Sequence, residues 1–555
     1  MTPSPAEPSQ LTRSFTHLSP AACVAIAVIL GWLAFGLSLR NGFVYDDHDF
    51  VVRNTYVHEI DGLWPLLTER RAQNAGVHQH PIWRPLRNLS FWMDYRIAGL
   101  GAWWYHLHNL LWHGMAIGGV FALGRRIGLR PTAAFIAALL FAIHPVQSES
   151  VVWVKERDGL MSVAMTLWAV FFALGERWKS AASAFVLAVA AMLSKEWAVM
   201  AGPLMVAGWI CQARMAGTAP PSFKRMVILG SAVGTATLLF LLARDAVIGT
   251  TAQLETSLGG SFLATQWTMF EVYARYAGFV LWPFRLPLFF THIQPSPPAD
   301  PLSILGLLLV LTLVGAAVFA LVKKRTVAAF ALFWILVAFF PYTNIVPMMQ
   351  WMAVRFLYGP MAGVALLTGV AFQLATAHPK RNWLFAGIGL AAALWIVLSI
   401  QRTLVWNDDF ALWREEYRIN PEPRDARVNY ANALLRQGKP QQALTILEDY
   451  PYFDLHPYNP RVDSRAVSVR AQALIAMGRQ DQAHAFVLEA LQGPHEGSFT
   501  VLMVYGELAL AQGNHAEAEA LYRSILAALP GLPEAQAGLN RALAGQTAAP
   551  RAKAP

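Results

Sequence analysis

An all-α fold is predicted from the sequence: a polytopic transmembrane helix bundle of about eleven spans, followed by an α-solenoid of short repeats. Three observations carry this expectation. Of 555 residues, 55% are hydrophobic and only 14% are charged, whereas a soluble globular chain carries about a quarter charged residues. The apolar residues gather in runs near the ~20-residue length that crosses a bilayer as a helix, and the compact basic clusters between them fall on one side. At about residue 402 the chain turns polar, helix-forming and repetitive.

The expected spans are 20–39, 104–123, 131–145, 159–175, 181–193, 197–213, 226–245, 301–321, 327–345, 356–374 and 382–401. The runs 131–145 and 181–193 are short and have to be tilted or sheltered. The first run is long for a signal-peptide core, so it is read as an uncleaved span with 1–19 as a cytoplasmic tail. The cytoplasmic loops then hold Arg125, Arg126 and Arg130, then Arg177 and Lys179, then Arg214, Lys224 and Arg225. Further on they hold Lys323, Lys324 and Arg325, then Lys380 and Arg381. Counting 265–285 as a span would put Lys323 to Arg325 outside; it also holds Glu271, Arg275 and Arg285. It is therefore expected to lie at the outer interface or to be re-entrant. An odd number of spans in an inner (plasma) membrane places everything after 401 outside the cytoplasm. The expected domains are 20–401 with a long outer loop 40–103, a repeat domain 402–545 and a disordered tail 546–555.

Net charge is +9. The basic residues sit between apolar runs, so the positive-inside bias explains them and no nucleic-acid partner is expected. Cys23 and Cys211 both lie in apolar stretches and form neither a disulfide framework nor a metal motif. His106 and His113 share a helix face but His108 does not, so a metal site is not expected.

Three C-terminal segments share one pattern. They end at Gly438, Gly478 and Gly513, spaced 40 and 35 residues apart, and Ala443, Ala483 and Ala518 follow at one fixed offset. This resembles the tetratricopeptide repeat, a helix–turn–helix unit of about 34 residues. Residues 532–545 fit a capping helix.

Long ordered loops tend to carry function, and 40–103 opens with the acids Asp46, Asp47 and Asp49 directly after a span. The motifs then run in order: Tyr45-Asp46-Asp47 with Asn54, Trp83-Arg84-Pro85-Leu86, and Tyr105-His106-Leu107-His108-Asn109 with His113. His144 to Trp153, Ser194-Lys195-Glu196 and Arg355 to Pro360 follow. This series resembles the membrane glycosyltransferases of the GT-C class, closest to the transmembrane-and-tetratricopeptide-repeat O-mannosyltransferase family and its bacterial relatives. The resemblance covers most of 41–360, and the repeats extend it. It implies a lipid-phosphate sugar donor, an active site at the outer face and an acidic pair after the first span. One position departs from the family pattern: Val354 stands where a Glu usually precedes the Arg, so a network role for that Glu is absent or relocated.

Chemistry asks for the same residue types. A polyprenyl phosphate is already a good leaving group, so no general acid is needed. One carboxylate must take a proton from the acceptor hydroxyl, and cations must hold the phosphate as the bond breaks. Asp46 or Asp47 is the candidate base; Arg84, Arg157, Lys195 and Arg355 are the candidate phosphate ligands. His106, Asn109, Glu149, Asp158 and Tyr358 are candidates for orienting substrate. Blander roles stand beside these. The acid pair can be a solvated loop start, Arg355 a snorkelling anchor, and Lys195 with Glu196 a local ion pair.

The resulting expectation is an inverting glycosyltransferase using a polyprenyl-phosphate sugar, with membrane lipids around it and no cofactor or divalent metal. The repeats suit a polypeptide acceptor, hence protein Ser/Thr O-mannosylation; a cell-envelope lipid or glycan is the alternative acceptor. A non-enzymatic scaffold recruiting partners through the repeats is the rival of another class. A transporter is disfavoured because the ionisable groups sit near span ends.

Overall fold

A computed structural model describes residues 19–58, 63–68, 82–215, 221–248, 258–290, 293–348, 350–376, 381–452, 460–529 and 532–548. The expected tail 1–19 therefore lies outside the described residues except for Ser19. Among these residues the regular structure is entirely helical. The chain divides into two compact units, Met1–Asp409 and Phe410–Pro555.

In the first unit a helix lies within every expected span, although 327–345 leaves its helix at Phe339 and 197–213 opens with a 3-10 turn at Glu196–Met200. Five are long and apolar enough to cross a bilayer alone: Pro20–Arg40, Phe223–Ile248, Pro301–Val322, Val354–Ala375 and Phe385–Val405. A sixth is available if Pro131–Ile143 and Pro145–Val152, bent by 52°, form one broken span. The protein is thus an integral membrane protein. The other expected spans are shorter or more polar, and several are sheltered: Arg157–Ala173 has a largely buried surface. Their ends are set by local chemistry. Proline opens the helices at Pro20, Pro131 and Pro301, where its missing N–H costs nothing. Ser19 and Asp300 cap two of them by accepting the N–H of Ala22 (3.2 Å) and Ser303 (2.6 Å).

Without a hydrophobic drive between helices in lipid, small residues let backbones approach. A Cβ on Gly363 would stand 2.8 Å from the carbonyl oxygen of Ala331, and one on Gly369 2.8 Å from that of Ala133. Phe262–Leu281, the segment expected at the interface or as a re-entrant helix, is a continuous helix of 20 residues. It packs on Pro301–Val322 with Gly306 directly against the Phe270 carbonyl.

The expected outer loop 40–103 is not open chain. Its described part contains the helices Thr55–His58, Leu63–Thr68 and Pro85–Ala98. Pro85–Ala98 buries Arg87, Asn88, Ser90 and Asp94, so its core-facing side is polar. The unit also extends past the composition change at 402. Helix Arg381–Val405 continues beyond the expected span, and the turn after it packs back on the loop, with the Gly42 N–H donating to the Asn407 carbonyl at 2.9 Å.

In the second unit three helix pairs stack: Arg424–Arg436 with Pro440–Ile446, Pro460–Ala476 with Gln480–Leu491, and Phe499–Ala511 with His515–Ala528. Gly438, Gly478 and Gly513 take φ of +70°, +75° and +78°. This is the left-handed conformation that ends a helix most cheaply at glycine. Ala443, Ala483 and Ala518 are fully buried, where a larger side chain would force the paired helices apart. The wider first spacing comes from extra chain between the first two pairs, including the buried Tyr450 and Tyr452. The capping helix is Pro533–Ala548. It runs through 546–548, which were expected in the disordered tail; 549–555 lie outside the described residues.

Candidate active site

The acidic turn after the first span is held in a strained shape. Tyr45 has φ +54°, a region that bulky L-residues rarely occupy and that persists only where the surroundings impose it. Asp47 is fully buried. Its Oδ2 accepts the Val44 N–H at 3.1 Å and its Oδ1 accepts the Lys155 N–H at 2.8 Å. Asp46 is half-buried. The two adjacent acids, indistinguishable by spacing, therefore differ: Asp47 is buried and ties the turn to Lys155, and Asp46 is only half-buried.

Burial pushes Asp47 up to about 7 from an ordinary 3.8, against the pull of those two N–H bonds. Between about pH 4 and 7 the folded protein holds a proton there that the unfolded chain has released. This group's contribution to stability therefore falls as pH rises through that window and is constant above it. Thermal-inactivation midpoints in detergent should drop more between about pH 5 and 8 for the wild type than for Asp47→Asn. Parallel drops would mean that Asp47 is charged throughout.

Beside this turn lies a continuous ion network. The run Lys155-Glu156-Arg157-Asp158 opens the helix Arg157–Ala173 and is buried. Glu156 accepts from Lys155 Nζ at 2.8 Å and Lys195 Nζ at 2.9 Å, with Arg355 Nε at 3.4 Å. Lys195 Nζ also lies 3.0 Å from Asp158 Oδ1. Arg84 Nη1 donates to Asp158 Oδ2 at 2.6 Å, while its Nε and Nη2 grip Glu196 at 3.0 and 2.6 Å. Arg87 Nη1 is 3.4 Å from the same Asp158 oxygen. Arg355 Nη1 donates to Glu149 at 2.6 Å, its backbone N–H to the other Glu149 oxygen at 3.1 Å, and its Nη2 to Gln350 at 2.7 Å. Burial alone would raise Glu156, but Lys155, Lys195 and Arg355 together hold it well below the carboxylate range. Burial would lower Lys195, but Asp158 and Glu156 hold it above the usual lysine range.

The network joins the cations Arg84, Arg87, Lys155, Lys195 and Arg355 to the carboxylates Glu149, Glu156, Asp158 and Glu196. It reaches solvent at one edge, where the Glu196 side chain is 44% exposed beside the 8% exposed Arg84. Trp153 links network and turn. The Lys155 Nζ and Arg355 Cζ lie 4.8 and 5.6 Å from its ring, and Tyr45 stacks on it at 5.6 Å.

The expected site residues are thus placed as follows. Arg84, Lys195 and Arg355 come together, with Glu149 and Asp158 as their carboxylate partners. Lys195 and Glu196 are not paired with each other; each reaches a different partner. Glu149 supplies the carboxylate for Arg355 where Val354 cannot. Arg157 is elsewhere: it is fully buried, ion-paired to Asp94, and donates to Asn109 Oδ1 (3.0 Å), Ser90 Oγ (3.3 Å) and the Tyr105 carbonyl (2.9 Å). It pins the first loop to the helix Ala102–Arg126. Asn109 also donates to the carbonyls of Val151 and Trp153 (3.2 and 3.0 Å), and His106 Nε2 is 3.4 Å from the Gly42 carbonyl. Tyr358 is buried, its hydroxyl 2.9 Å from His113 Nδ1. These three hold the scaffold around the site. His106, His108 and His113 have separate partners, and no cluster of three metal-ligating side chains occurs among the described residues. Lys155 and Glu156, at the centre of the network, were not singled out in the sequence. Four consecutive charges between apolar spans were the available signal.

The tetratricopeptide-repeat family profile matches residues 425–449, 464–489 and 500–524. Over 525 residues the chain is 26% identical to the protein O-mannosyl-transferase Tmtc1 of Drosophila melanogaster, covering 76% of this chain and 60% of that protein. It is 25% identical to the protein O-mannosyl-transferase F38B6.6 of Caenorhabditis elegans, covering 75% and 61%. The chain thus spans about three-fifths of the length of these relatives. A solved archaeal oligosaccharyltransferase, AglB of Archaeoglobus fulgidus in complex with an inhibitory peptide and a dolichol-phosphate, overlaps loosely. Its TM-score is 0.41 at 15% identity, over 80% of this chain and 60% of that one. The resemblance to membrane O-mannosyltransferases read from the motifs is thus matched by curated relatives bearing that name.

Proposed function

We propose that this protein is an inverting membrane glycosyltransferase that moves a sugar, mannose by the relatives' names, from a polyprenyl-phosphate carrier to a Ser or Thr hydroxyl of a polypeptide. The observation that carries the reading is the buried cation cluster beside the acidic turn. Its guanidinium and ammonium groups, on Arg84, Lys195 and Arg355, are the kind that hold the negative charge of a sugar phosphodiester and stabilise it as the bond breaks.

In this reading the acceptor hydroxyl gives its proton to Asp46 as its oxygen attacks the anomeric carbon. The bond from that carbon to the phosphate oxygen breaks, and its electron pair leaves with the phosphate, held by Arg84, Lys195 and Arg355. One displacement inverts the anomeric centre. Asp47 is the poorer base, since both of its oxygens already accept backbone N–H bonds. The repeats supply the surface for an extended polypeptide.

The basic clusters support a site and repeats on the extracytoplasmic side. One experiment tests both activity and orientation. Right-side-out membrane vesicles carrying polyprenyl-phosphate mannose should add one hexose to a Ser/Thr-rich peptide supplied outside. Inverted vesicles should not. Modification only in inverted vesicles would reverse the topology. Hexose appearing only in the lipid or glycan fraction would replace the acceptor, and no transfer in either orientation would favour a scaffold.

A further inference from the structure

The segment 403–409 straps the acidic turn from behind. Asn41 Nδ2 donates to the Thr403 carbonyl at 3.1 Å, and the Gly42 N–H donates to Asn407 at 2.9 Å. Trp406 packs on Trp153 with ring centroids 5.5 Å apart, and Trp153 in turn stacks with Tyr45. The last contact is the most specific. Asp409 accepts the Tyr45 N–H on Oδ1 at 2.9 Å, and its Oδ2 lies 2.8 Å from His48 Nε2. One carboxylate thus holds both ends of the four-residue turn that carries Asp46 and Asp47.

Tyr45 is the residue forced to positive φ. A bulky side chain stays there only when something outside the turn holds it, and the N–H that Asp409 accepts belongs to that residue. The Asp46 carbonyl accepts the N–H of Asp49 and Phe50 at 3.0 and 2.9 Å, so the direction of the Asp46 side chain follows from the turn. We infer that Asp409, more than 360 residues away in sequence, is a positioning residue that fixes the Tyr45–His48 turn and so aims Asp46 at the acceptor hydroxyl. The inference rests on the reading of Asp46 as the base.

The test uses the full chain, purified and reconstituted with polyprenyl-phosphate mannose and a Ser/Thr peptide. A displacement of the base by about an ångström costs roughly 100-fold. Asp409→Ala should therefore lower kcat roughly 10- to 100-fold, with KM for the donor within about twofold because the cation network is untouched. Asp409→Asn keeps an oxygen for the Tyr45 N–H and loses the carboxylate charge that faces His48, so its kcat should fall less, about 3- to 10-fold. If the alanine variant does not fold, the asparagine variant carries the test. A residue acting through Asp46 has nothing to act on once Asp46 is Asn. Either Asp409 substitution should then add less than about twofold to the loss seen in Asp46→Asn alone. A merely structural defect would multiply the losses and raise donor KM, and either result overturns the inference. Full kcat in both Asp409 variants beside a slow Asp46→Asn overturns it alone. An unimpaired Asp46→Asn overturns the base reading and this inference with it.

Discussion

Asp46→Asn should lower transfer about 100- to 10,000-fold, the range that general-base catalysis supplies, while the protein folds and binds donor as the wild type does. Asparagine keeps the size and much of the hydrogen bonding of aspartate but cannot take a proton at neutral pH. Asp46 stands half-buried on a turn whose partner acid is committed to the backbone N–H groups of Val44 and Lys155. Replacing it removes a base while leaving the bonds from Tyr45 to Asp409 and from Lys155 to Asp47 in place. Asp47→Asn is the contrasting variant. It leaves one oxygen to serve two N–H donors, so its effect should appear in stability and in the register of 154–156 as much as in rate. Steady-state kinetics on both purified variants decides the matter. Loss confined to Asp47→Asn would move the base by one residue, and full activity in both folded variants would make the acid pair a solvated loop start.

Arg355→Ala should cost about 2–4 kcal/mol of transition-state stabilisation, roughly 30- to 900-fold in kcat/KM for the donor, the range for an oxyanion-type donor. The guanidinium spans Glu149, Glu156 and Gln350 and sits over Trp153. It therefore joins the N-terminal end of the helix Tyr358–Ala375 to the centre of the network. Lysine cannot reproduce that planar multi-donor reach, so Arg355→Lys should recover little. Lys195→Ala should cost less, because an ammonium contributes a point charge rather than two parallel bonds. Donor-dependent kinetics with melting curves for each variant separates these outcomes. Near-normal kcat/KM in Arg355→Ala would reduce the residue to a snorkelling anchor at a span end.

Much of this was legible along the chain, for physical reasons that differ by element. The repeats announce themselves because a left-handed C-terminal residue and a close helix crossing each admit few residue types, hence Gly438, Gly478 and Gly513 with Ala443, Ala483 and Ala518. The long spans are equally plain, since lipid demands apolar length. Helices inside the bundle obey no such demand. Arg157–Ala173 and Thr326–Phe339 are 17 and 14 residues long and are shielded by neighbours, so a rule built on crossing length counts them as spans without fixing how they cross. The site was half legible. An acid after the first span and arginines on outer loops point to phosphate chemistry, but residue type does not reveal partners. Arg84 and Arg157 look alike in sequence; one joins the open edge of the network and the other is consumed by Asp94, Asn109 and Tyr105. Glu156 and Asp409 were passed over for the converse reason. A charge in a polar run, or at the end of the apolar domain, looks solvated until the chain brings Lys195 and Arg355, or Tyr45 and His48, against it.

The central claim is that the cation network holds a polyprenyl-phosphate sugar while Asp46 removes the acceptor proton. Native mass spectrometry of purified wild type and Asp46→Asn, each loaded with polyprenyl-phosphate mannose before a Ser/Thr peptide is added, tests it most directly. The wild type should convert its bound lipid to the bare polyprenyl phosphate as the peptide gains one hexose, whereas Asp46→Asn should keep the intact sugar lipid bound and leave the peptide unmodified. Failure of the wild type to bind the lipid, or equal turnover by both proteins, would contradict the account.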